Sequence, residues 1–249
     1  MSVPETEKPV LKHPKIRLLS SKPSGIVMCI YGESGVGKTT LASEAPGCLY
    51  ADAENGLQGL AESRPDLHVW PIQNWQDLED LYMFLTLGGH GYESVVLDPM
   101  NMIQRISLNH VLMAYPKVAR PYGGSLASQG DWGKSMDDLT TLMLLFSQQL
   151  GNMNVVFTCL AQSRDKDEDF VKPWLRGKNM SDTLMAACGV VGYLYTKPVE
   201  GRIARFLQLQ PFGNVDAKDR YNKLPATMED PTFDKILTAI KGGHKKTEE

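Results

Sequence analysis

Short apolar runs alternate with longer amphipathic stretches along most of this chain, and the alternation predicts its architecture. Each run holds five to eight residues and is bounded by polar residues or glycine, which is typical of strands buried in a sheet. The runs cover 26–31, 48–52, 68–72, 94–98, 154–160, 190–196 and 203–210. Strands that alternate with helices favour an α/β fold, in which helices cover both faces of a mostly parallel sheet.

The amphipathic stretches predict the helices. Asn74 can cap one helix, with Asp77 at the third helical position and an apolar stripe beyond it. Ser135 and Asp138 form the same pattern at the start of a second amphipathic stretch. Two further helices are predicted at about 100–114, after Asp98-Pro99, and from Asp230-Pro231 onwards.

The composition is that of an ordinary globular protein. The chain has 249 residues, 42% hydrophobic and 22% charged, and its net charge of −3 gives no overall attraction to nucleic acid. No apolar run approaches the ~20 residues of a membrane span, and 1–14 lacks the apolar core of a secretory signal. The four cysteines form no metal-ligand pair and are expected to be buried, reduced thiols. We therefore expect a cytoplasmic protein with no membrane partner.

The chain divides into three parts. Residues 1–22 hold three prolines and little periodicity, so a flexible N-terminal arm is expected there. Residues 23–241 form one α/β domain, and 242–249 are expected to be a disordered tail.

A phosphate-binding loop follows the first apolar run. Residues 32–39 read Gly-Glu-Ser-Gly-Val-Gly-Lys-Thr, which fits G-x-x-x-x-G-K-[ST] between a predicted strand and a predicted helix. In such a loop Lys38 reaches the β- and γ-phosphates of ATP, and the Thr39 hydroxyl binds Mg²⁺. The predicted nucleotide-binding residues are Gly32, Glu33, Ser34, Gly35, Val36, Gly37, Lys38, Thr39 and Thr40.

Acidic residues follow two other predicted strands. Glu54 lies just after the second run, where a carboxylate can orient the water that attacks the γ-phosphate; the alternative is a solvated loop acid. Asp98 ends the fourth run, as expected of a Walker B aspartate that holds Mg²⁺. Asp52 also ends an apolar run and is a rival for this role.

Three polar residues later in the chain are further candidates. Gln162 follows the fifth run, where an amide can sense the γ-phosphate, although such a residue is more often a surface side chain. Lys218 and Arg220 follow the last run and could reach the nucleotide of a neighbouring subunit. Spacing alone favours a solvated loop for this pair.

The motifs and their order resemble those of RecA-like recombinases. Residues 50–57 (Tyr-Ala-Asp-Ala-Glu-Asn-Gly-Leu) resemble the segment of the catalytic glutamate, and 157–162 (Phe-Thr-Cys-Leu-Ala-Gln) the strand of the sensing glutamine. Residues 218–220 (Lys-Asp-Arg) resemble the Lys-x-Arg finger of hexameric helicases and related recombinases. The resemblance covers about 24–225 and is strongest to small phage-encoded, core-only RecA-like ATPases.

This resemblance implies a RecA-like P-loop NTPase core with antiparallel strands at the C-terminal edge of the sheet. It implies catalytic roles for Lys38, Glu54, Gln162, Lys218 and Arg220, and the host cytoplasm as location if the protein is phage-encoded. The implied partners are single-stranded DNA, a single-strand DNA-binding protein, and further copies of the chain in a ring or filament.

The resemblance also implies two DNA-binding loops, at about 116–134 and 163–180. Basic and aromatic residues interleave in both, as binding of phosphates and stacking of bases would require. In the first loop they are Lys117, Arg120, Tyr122, Trp132 and Lys134. In the second they are Arg164, Lys166, Phe170, Lys172, Trp174, Arg176 and Lys178. Asp165, Asp167, Glu168 and Asp169 nearly cancel the positive charge of the second loop.

Together these features predict a Mg²⁺-dependent ATPase that binds single-stranded DNA and acts in recombination, annealing or replication. One alternative is a loader or assembly factor that uses ATP as a conformational switch. The other is a small-molecule kinase, which would usually carry an arginine-rich lid that this sequence lacks.

Overall fold

A computed structural model describes residues 25–114, 127–162 and 171–242, and within them the chain forms one nine-stranded sheet. The strands are β1 (Val27–Gly32), β2 (Cys48–Asp52), β3 (His68–Pro71), β4 (Ser94–Asp98), β5 (Asn154–Leu160), β6 (Val190–Val199), β7 (Arg202–Gln208), β8 (Lys218–Asp219) and β9 (Thr227–Glu229). Their order is β3-β2-β4-β5-β1-β6-β7-β9, with β8 paired to β6.

The sheet is parallel from β3 to β6, and β7, β8 and β9 join it antiparallel. This confirms the predicted α/β fold class, a mostly parallel sheet with helices on both faces and antiparallel strands at its C-terminal edge. The seven apolar runs correspond to β1–β7, with ends that differ by three residues at most.

Six α-helices connect the strands in the described residues. They are α1 (Lys38–Ser43), α2 (Trp75–Leu87), α3 (Met100–Ala114), α4 (Gln129–Gln149), α5 (Met180–Ala187) and α6 (Phe233–Gly242). α2 begins as predicted, because the Asn74 side chain and the Asp77 side chain each accept a bond from the other residue's backbone N–H. α6 extends to the first residue of the predicted tail, whereas the predicted arm and 243–249 lie outside the described residues.

The predicted start of the fourth helix at Ser135 is wrong. α4 begins at Gln129, because Ser128 and Asp131 form the capping pair almost two turns earlier. Ser135 instead lies inside α4, where its hydroxyl donates to the Ser107 hydroxyl of α3 at 3.0 Å. The side chain that resembled a cap therefore joins two helices.

The alternation of side chains along the strands produces two cores. In β1, Cys29 and Tyr31 face the layer of α2 to α5, and Met28 and Ile30 face α1 and α6. All four cysteines are free and buried, as predicted. Among the described helices, none is long and apolar enough to cross a membrane.

Because β1, β2, β4 and β5 are parallel, their carboxyl ends meet at one edge of the sheet. The phosphate-binding loop, the loop that carries Glu54, and Asp98 all lie at this edge. This edge is therefore where the sequence-predicted site residues can come together.

Candidate nucleotide-binding site

The phosphate-binding loop has the backbone shape that its glycines permit. Gly35 and Gly37 have φ angles of 80° and 95°, in the left-handed region that disfavours residues with a Cβ. A Cβ on Gly32 would lie 2.2 Å from the Leu194 carbonyl oxygen of β6, so the loop also begins too close to a neighbouring strand for another residue. The loop borders a cleft of about 310 Å³ whose other walls include Glu54, Asp98 and Leu160.

Lys38 lies at the base of this cleft. Its ammonium donates to the carbonyl oxygens of Gly32 at 3.0 Å and Glu33 at 2.7 Å, so the side chain folds back over the loop. Burial lowers the pKa of Lys38, and the negative charge of Asp98 is the strongest influence in the opposite direction. The loop thus holds a buried cation beside the space that a phosphate chain would fill.

Asp98 is the polar centre of the cleft. Its Oδ2 atom accepts hydrogen bonds from the Thr39 hydroxyl at 3.1 Å and the Tyr50 hydroxyl at 2.5 Å. The Thr158 hydroxyl donates to the other carboxylate oxygen. Burial and the adjacent Asp98 raise the pKa of Tyr50, so its phenol stays neutral and donates.

These contacts fit a site for Mg²⁺. The Thr39 hydroxyl and the Asp98 carboxylate are neighbouring oxygen donors at the loop, and oxygen is the ligand atom that Mg²⁺ prefers. The described residues contain no cluster of three or more His, Cys, Asp or Glu side chains suited to a metal. A Mg²⁺ ion here would therefore depend on the phosphates of a bound nucleotide for further ligands, as is usual for this ion.

Asp52, the other candidate for the Walker B aspartate, has different hydrogen-bond partners from Asp98. Its Oδ1 atom accepts bonds from the backbone N–H groups of Glu54 at 3.0 Å and Gly56 at 3.3 Å. Asp52 therefore fixes the loop that carries Glu54, and Asp98 is the aspartate in contact with Thr39.

Glu54 lies at the rim of the cleft with its side chain exposed. Partial burial of the carboxyl raises its pKa above the ordinary value for glutamate, and the charge of Asp98 adds to this. Lys38 acts in the opposite direction. A carboxylate with a raised pKa is a better proton acceptor than an ordinary glutamate, which suits the predicted role.

Gln162 follows β5 next to the loop. The residue before it, Ala161, donates its N–H to the Gly32 carbonyl at 2.9 Å, and the Gln162 N–H donates to the Lys172 carbonyl at 2.9 Å. The half-buried Gln162 thus links the edge of the nucleotide cleft to the chain that returns at 171–174.

Lys218 and Arg220 lie elsewhere. Lys218 donates to the Met185 carbonyl at 2.7 Å and Arg220 to the Ala186 carbonyl at 3.0 Å, so both cations bind the last turn of α5. Cations are favourable at the carboxyl end of a helix because of its dipole. Lys218 is half-buried in β8 and Arg220 is exposed in the turn that follows, and neither lines the nucleotide cleft of this chain.

A second cavity, of about 440 Å³, adjoins the nucleotide cleft and shares Glu54 and Leu160 with it. One face of α3 forms its floor, and the segment 174–176 and the start of α4 form its walls. The aromatic and basic residues among its lining are Arg105, Trp132, Trp174 and Arg176. The Arg176 guanidinium lies 5.8 Å from the centre of the Trp132 ring, a cation–π contact across the cavity.

Two amides of α3 hold the wall of this cavity. The Gln104 side chain donates to the Arg176 carbonyl at 2.7 Å and accepts from the Arg176 N–H at 2.8 Å. Asn101 donates to the Trp174 carbonyl and accepts from the Leu160 N–H at 2.8 Å. Segment 174–176 is therefore fixed to the helix that begins two residues after Asp98.

The other predicted DNA-binding residues do not line this cavity or lie outside the described residues. Lys172 is half-buried beside the end of β5, and Lys178 is exposed before α5. Lys134 forms an ion pair with Asp138. Those outside the described residues are Lys117, Arg120, Tyr122, Arg164, Lys166 and Phe170, together with the acidic residues of 165–169.

Sequence reasoning missed several residues of both cavities. Tyr50 and Thr158 are buried polar residues within otherwise apolar strands. A polar residue inside an apolar run can indicate a buried polar site, but the search for apolar runs did not use this signal. Asn101, Gln104 and Arg105 start a helix whose other face is apolar, and their position just after Asp98 was the available signal.

Residues 24–221 match the AAA domain family. The SPbeta prophage-derived uncharacterized protein YorG of Bacillus subtilis (strain 168) is 23% identical over 107 residues, which are 41% of this chain and 32% of that protein. The chain thus matches about a third of the length of this curated relative.

Several solved structures have a similar chain path. The RadB recombinase is 17% identical, with 84% of this chain and 87% of that chain covered at a TM-score of 0.48. The KaiC-like protein PH0186 of Pyrococcus horikoshii OT3 is 13% identical, with coverages of 75% and 79% and a TM-score of 0.43. The flagellar accessory protein FlaH of Methanocaldococcus jannaschii is 10% identical, with coverages of 75% and 78% and a TM-score of 0.39.

Proposed function

The chain belongs to the AAA domain family, and from this premise we propose that it is a Mg²⁺-dependent ATPase that binds single-stranded DNA. We propose further that it acts in phage-type DNA recombination, annealing or replication. The observation that carries the proposal is the convergence of Lys38, Asp98 and Glu54, from three separate elements, on one cleft at the phosphate-binding loop.

The nucleotide would bind with its phosphates along residues 32–40. Lys38 would exchange its two loop carbonyls for oxygens of the β- and γ-phosphates, which better match its charge. Thr39 and Asp98 would hold Mg²⁺, which when bound offsets the negative charge that develops on the phosphate oxygens. Tyr50 and Thr158 hold the Asp98 carboxylate in place by donating to it.

Hydrolysis then needs a water molecule directed at the γ-phosphorus. Glu54 accepts a proton from this water while the water oxygen forms a bond to the γ-phosphorus. The bond between the γ-phosphorus and the β,γ-bridging oxygen then breaks. The products are ADP and inorganic phosphate. Asp52 supports this step by fixing the Glu54 loop through two backbone N–H groups.

The adjoining cavity is the proposed site for single-stranded DNA. Trp174 is 41% exposed and can stack on a base, and Arg105 and Arg176 can pair with the phosphates beside it. Because this cavity shares Glu54 with the nucleotide cleft, bound DNA would lie next to the residue that activates water. This arrangement supports stimulation of ATP turnover by DNA.

The proposed role in phage DNA metabolism is supported by one relative. YorG is named as a protein derived from a prophage, and this agrees with a role in phage DNA metabolism. The alternative, an ATP-driven switch or loader factor, uses the same cleft but needs no DNA in the second cavity. A measurement of DNA binding therefore distinguishes the DNA-binding ATPase from the switch or loader factor.

The test is binding of a fluorescent single-stranded oligonucleotide in the presence of ATP. The double change Trp174→Ala and Arg176→Ala should weaken binding about tenfold or more, since stacking on one aromatic residue contributes about 1–3 kcal/mol. Lys178→Ala, outside the cavity, should weaken it less, and binding by the wild type should fall as salt rises. Equal binding by the double variant and the wild type, or no binding by either, would refute the DNA site.

A further inference from the structure

One arginine lies against the phosphate-binding loop but outside the cleft described above. Arg205 is in β7, where it pairs with Thr196 and lies on the same face of the sheet as Leu207, the face covered by α1. Its Nη1 atom is 3.2 Å, and its Cδ atom 3.4 Å, from the position that a Cβ on Gly37 would occupy. The guanidinium is therefore beside the residue that precedes Lys38.

The donors of this guanidinium are unused. In the described part of the chain the Arg205 side chain makes no hydrogen bond or ion pair, whereas its backbone is fixed. Its N–H donates to the Asp230 carboxylate at 3.2 Å, and its carbonyl accepts from the Asp230 N–H at 2.8 Å. Arg202 differs, because its guanidinium binds Glu229 at 2.9 Å and Asp230 at 2.8 Å. Arg205 is thus a positioned cation with five N–H groups for a ligand.

The strand order tells which part of a nucleotide this cation would meet. Glu54, Asp98 and Gln162 come from β2, β4 and β5, which all lie on one side of β1. Arg205 comes from β7, on the other side of β1. If the γ-phosphate points to Glu54, the chain of phosphates must run back across the loop, so its α-phosphate and ribose lie towards β6 and β7.

We infer that Arg205 binds the α-phosphate of a nucleotide held by the phosphate-binding loop of the same chain, an inference that rests on the proposed ATP-binding function. The contact pairs a planar guanidinium with phosphate oxygens, which is the geometry that arginine favours. Because ADP and ATP share the α-phosphate, the contact contributes equally to the binding of both.

The experiment measures binding of ADP and of a non-hydrolysable ATP analogue by calorimetry, without any need for turnover. Arg205→Gln should weaken both by the same factor, about 10- to 100-fold, which is typical for loss of a hydrogen bond to a charged group. Arg202→Gln is the matched control, and it should bind both nucleotides within about threefold of the wild type, because its partners are Glu229 and Asp230. If Arg205→Gln fails to fold, Arg205→Lys keeps the charge and should give a smaller, equal loss.

Two outcomes would overturn the inference while leaving the proposed function intact. Arg205 variants could lose affinity for the ATP analogue alone, which would place the arginine at the γ-phosphate. They could instead bind both nucleotides as the wild type does, and recovery of lost turnover on mixing with Lys38→Ala would then place Arg205 in a neighbour's site. A wild type that binds neither nucleotide would instead overturn the proposed function, and the inference with it.

Discussion

Asp98 is the residue on which the contacts of the nucleotide cleft converge. Hydroxyls from three elements donate to its carboxylate, one each from Thr39, Tyr50 and Thr158. A buried polar side chain is costly unless it is hydrogen-bonded, so these three donors stabilise the buried Asp98 side chain at the edge of the sheet. Partial burial raises the pKa of Glu54 nearby, and the charge of Asp98 adds to this.

At the residue scale, Glu54→Gln should keep nucleotide binding and lower turnover about 100-fold or more, the range for loss of a general base. The amide has nearly the same shape but cannot accept the proton. Asp52→Asn is the matched control and should keep most of the turnover, since an amide oxygen can still accept the two backbone N–H bonds that fix the loop of Glu54. If Asp52→Asn lost turnover and Glu54→Gln did not, the roles of the two acids would be reversed.

The pH dependence of turnover follows from the same residue. The pKa of Glu54 is raised above its ordinary value of 4.5, so turnover should fall with decreasing pH through a pKa higher than that of an ordinary glutamate. A salt-bridged acid stabilises the fold when it is ionised, but an acid whose pKa is raised by folding does the opposite. At pH values above its ordinary pKa, the ionised Glu54 therefore lowers the free energy of unfolding. Glu54→Gln should therefore not lower the free energy of unfolding at neutral pH, which thermal melting can check.

At the element scale, α3 joins the two cavities. It begins at Met100, two residues after Asp98, and its amides at Asn101 and Gln104 hold the chain at Trp174 and Arg176. A shift of α3 at its first turn would therefore move the wall of the proposed DNA site. The helix gives a direct physical connection between the nucleotide cleft and the second cavity.

Gln104→Leu tests this connection. Gln104 is 5% exposed and makes two hydrogen bonds with the backbone of Arg176, each contributing about 1 kcal/mol. The change should lower affinity for single-stranded DNA about tenfold or more and leave ADP binding unchanged. Gln76→Leu, at an exposed position of α2, is the control. Wild-type DNA affinity in a folded Gln104→Leu protein would show that α3 does not position the wall.

Most elements of the sheet could be predicted from the sequence, because buried parallel strands form continuous apolar runs between turn residues. The start of α4 could not, since Ser128-x-x-Asp131 and Ser135-x-x-Asp138 have the same pattern and only the contact of Ser135 with Ser107 decides between them. α5 was missed because its eight residues are too few for a clear amphipathic period.

The nucleotide cleft could be predicted from the sequence more completely than the second cavity, which is the proposed DNA site. The phosphate-binding loop, Glu54 and Asp98 follow strand ends, and topology brings such residues together. The second cavity is built from α3, α4 and segment 174–176, which are far apart in sequence. No local pattern indicates that Arg105 lies near Trp132 and Trp174, so it could be found only from the fold.

At the scale of the whole molecule, the positions of Lys218 and Arg220 exclude a role at their own nucleotide. β8 pairs with β6 at Val190 and Val191, near the start of β1, whereas the phosphate-binding loop follows the end of β1. At about 3.3 Å per residue, this separates the two cations from their own loop by ~10 Å or more along the strand direction. Any catalytic role must therefore be exerted in another subunit.

Mixing of variants tests this role. Arg220→Ala should bind ATP normally and hydrolyse it poorly, because an arginine from a neighbour can contribute about 10³-fold or more to turnover. Mixing it with Lys38→Ala should restore activity, since one variant supplies the intact loop and the other the intact arginine. If the two variants co-assemble without recovery, and Arg220→Ala melts at a lower temperature, Arg220 only stabilises the end of α5.

We propose that one cleft hydrolyses ATP under the control of DNA in the adjoining cavity. The most direct measurement is the steady-state rate of phosphate release from ATP and Mg²⁺, with and without single-stranded DNA, for the wild type and Lys38→Ala. If this proposal is correct, turnover by the wild type rises when DNA is added, and Lys38→Ala shows none in either condition. Wild-type turnover that DNA leaves unchanged, or equal turnover by Lys38→Ala, would contradict it.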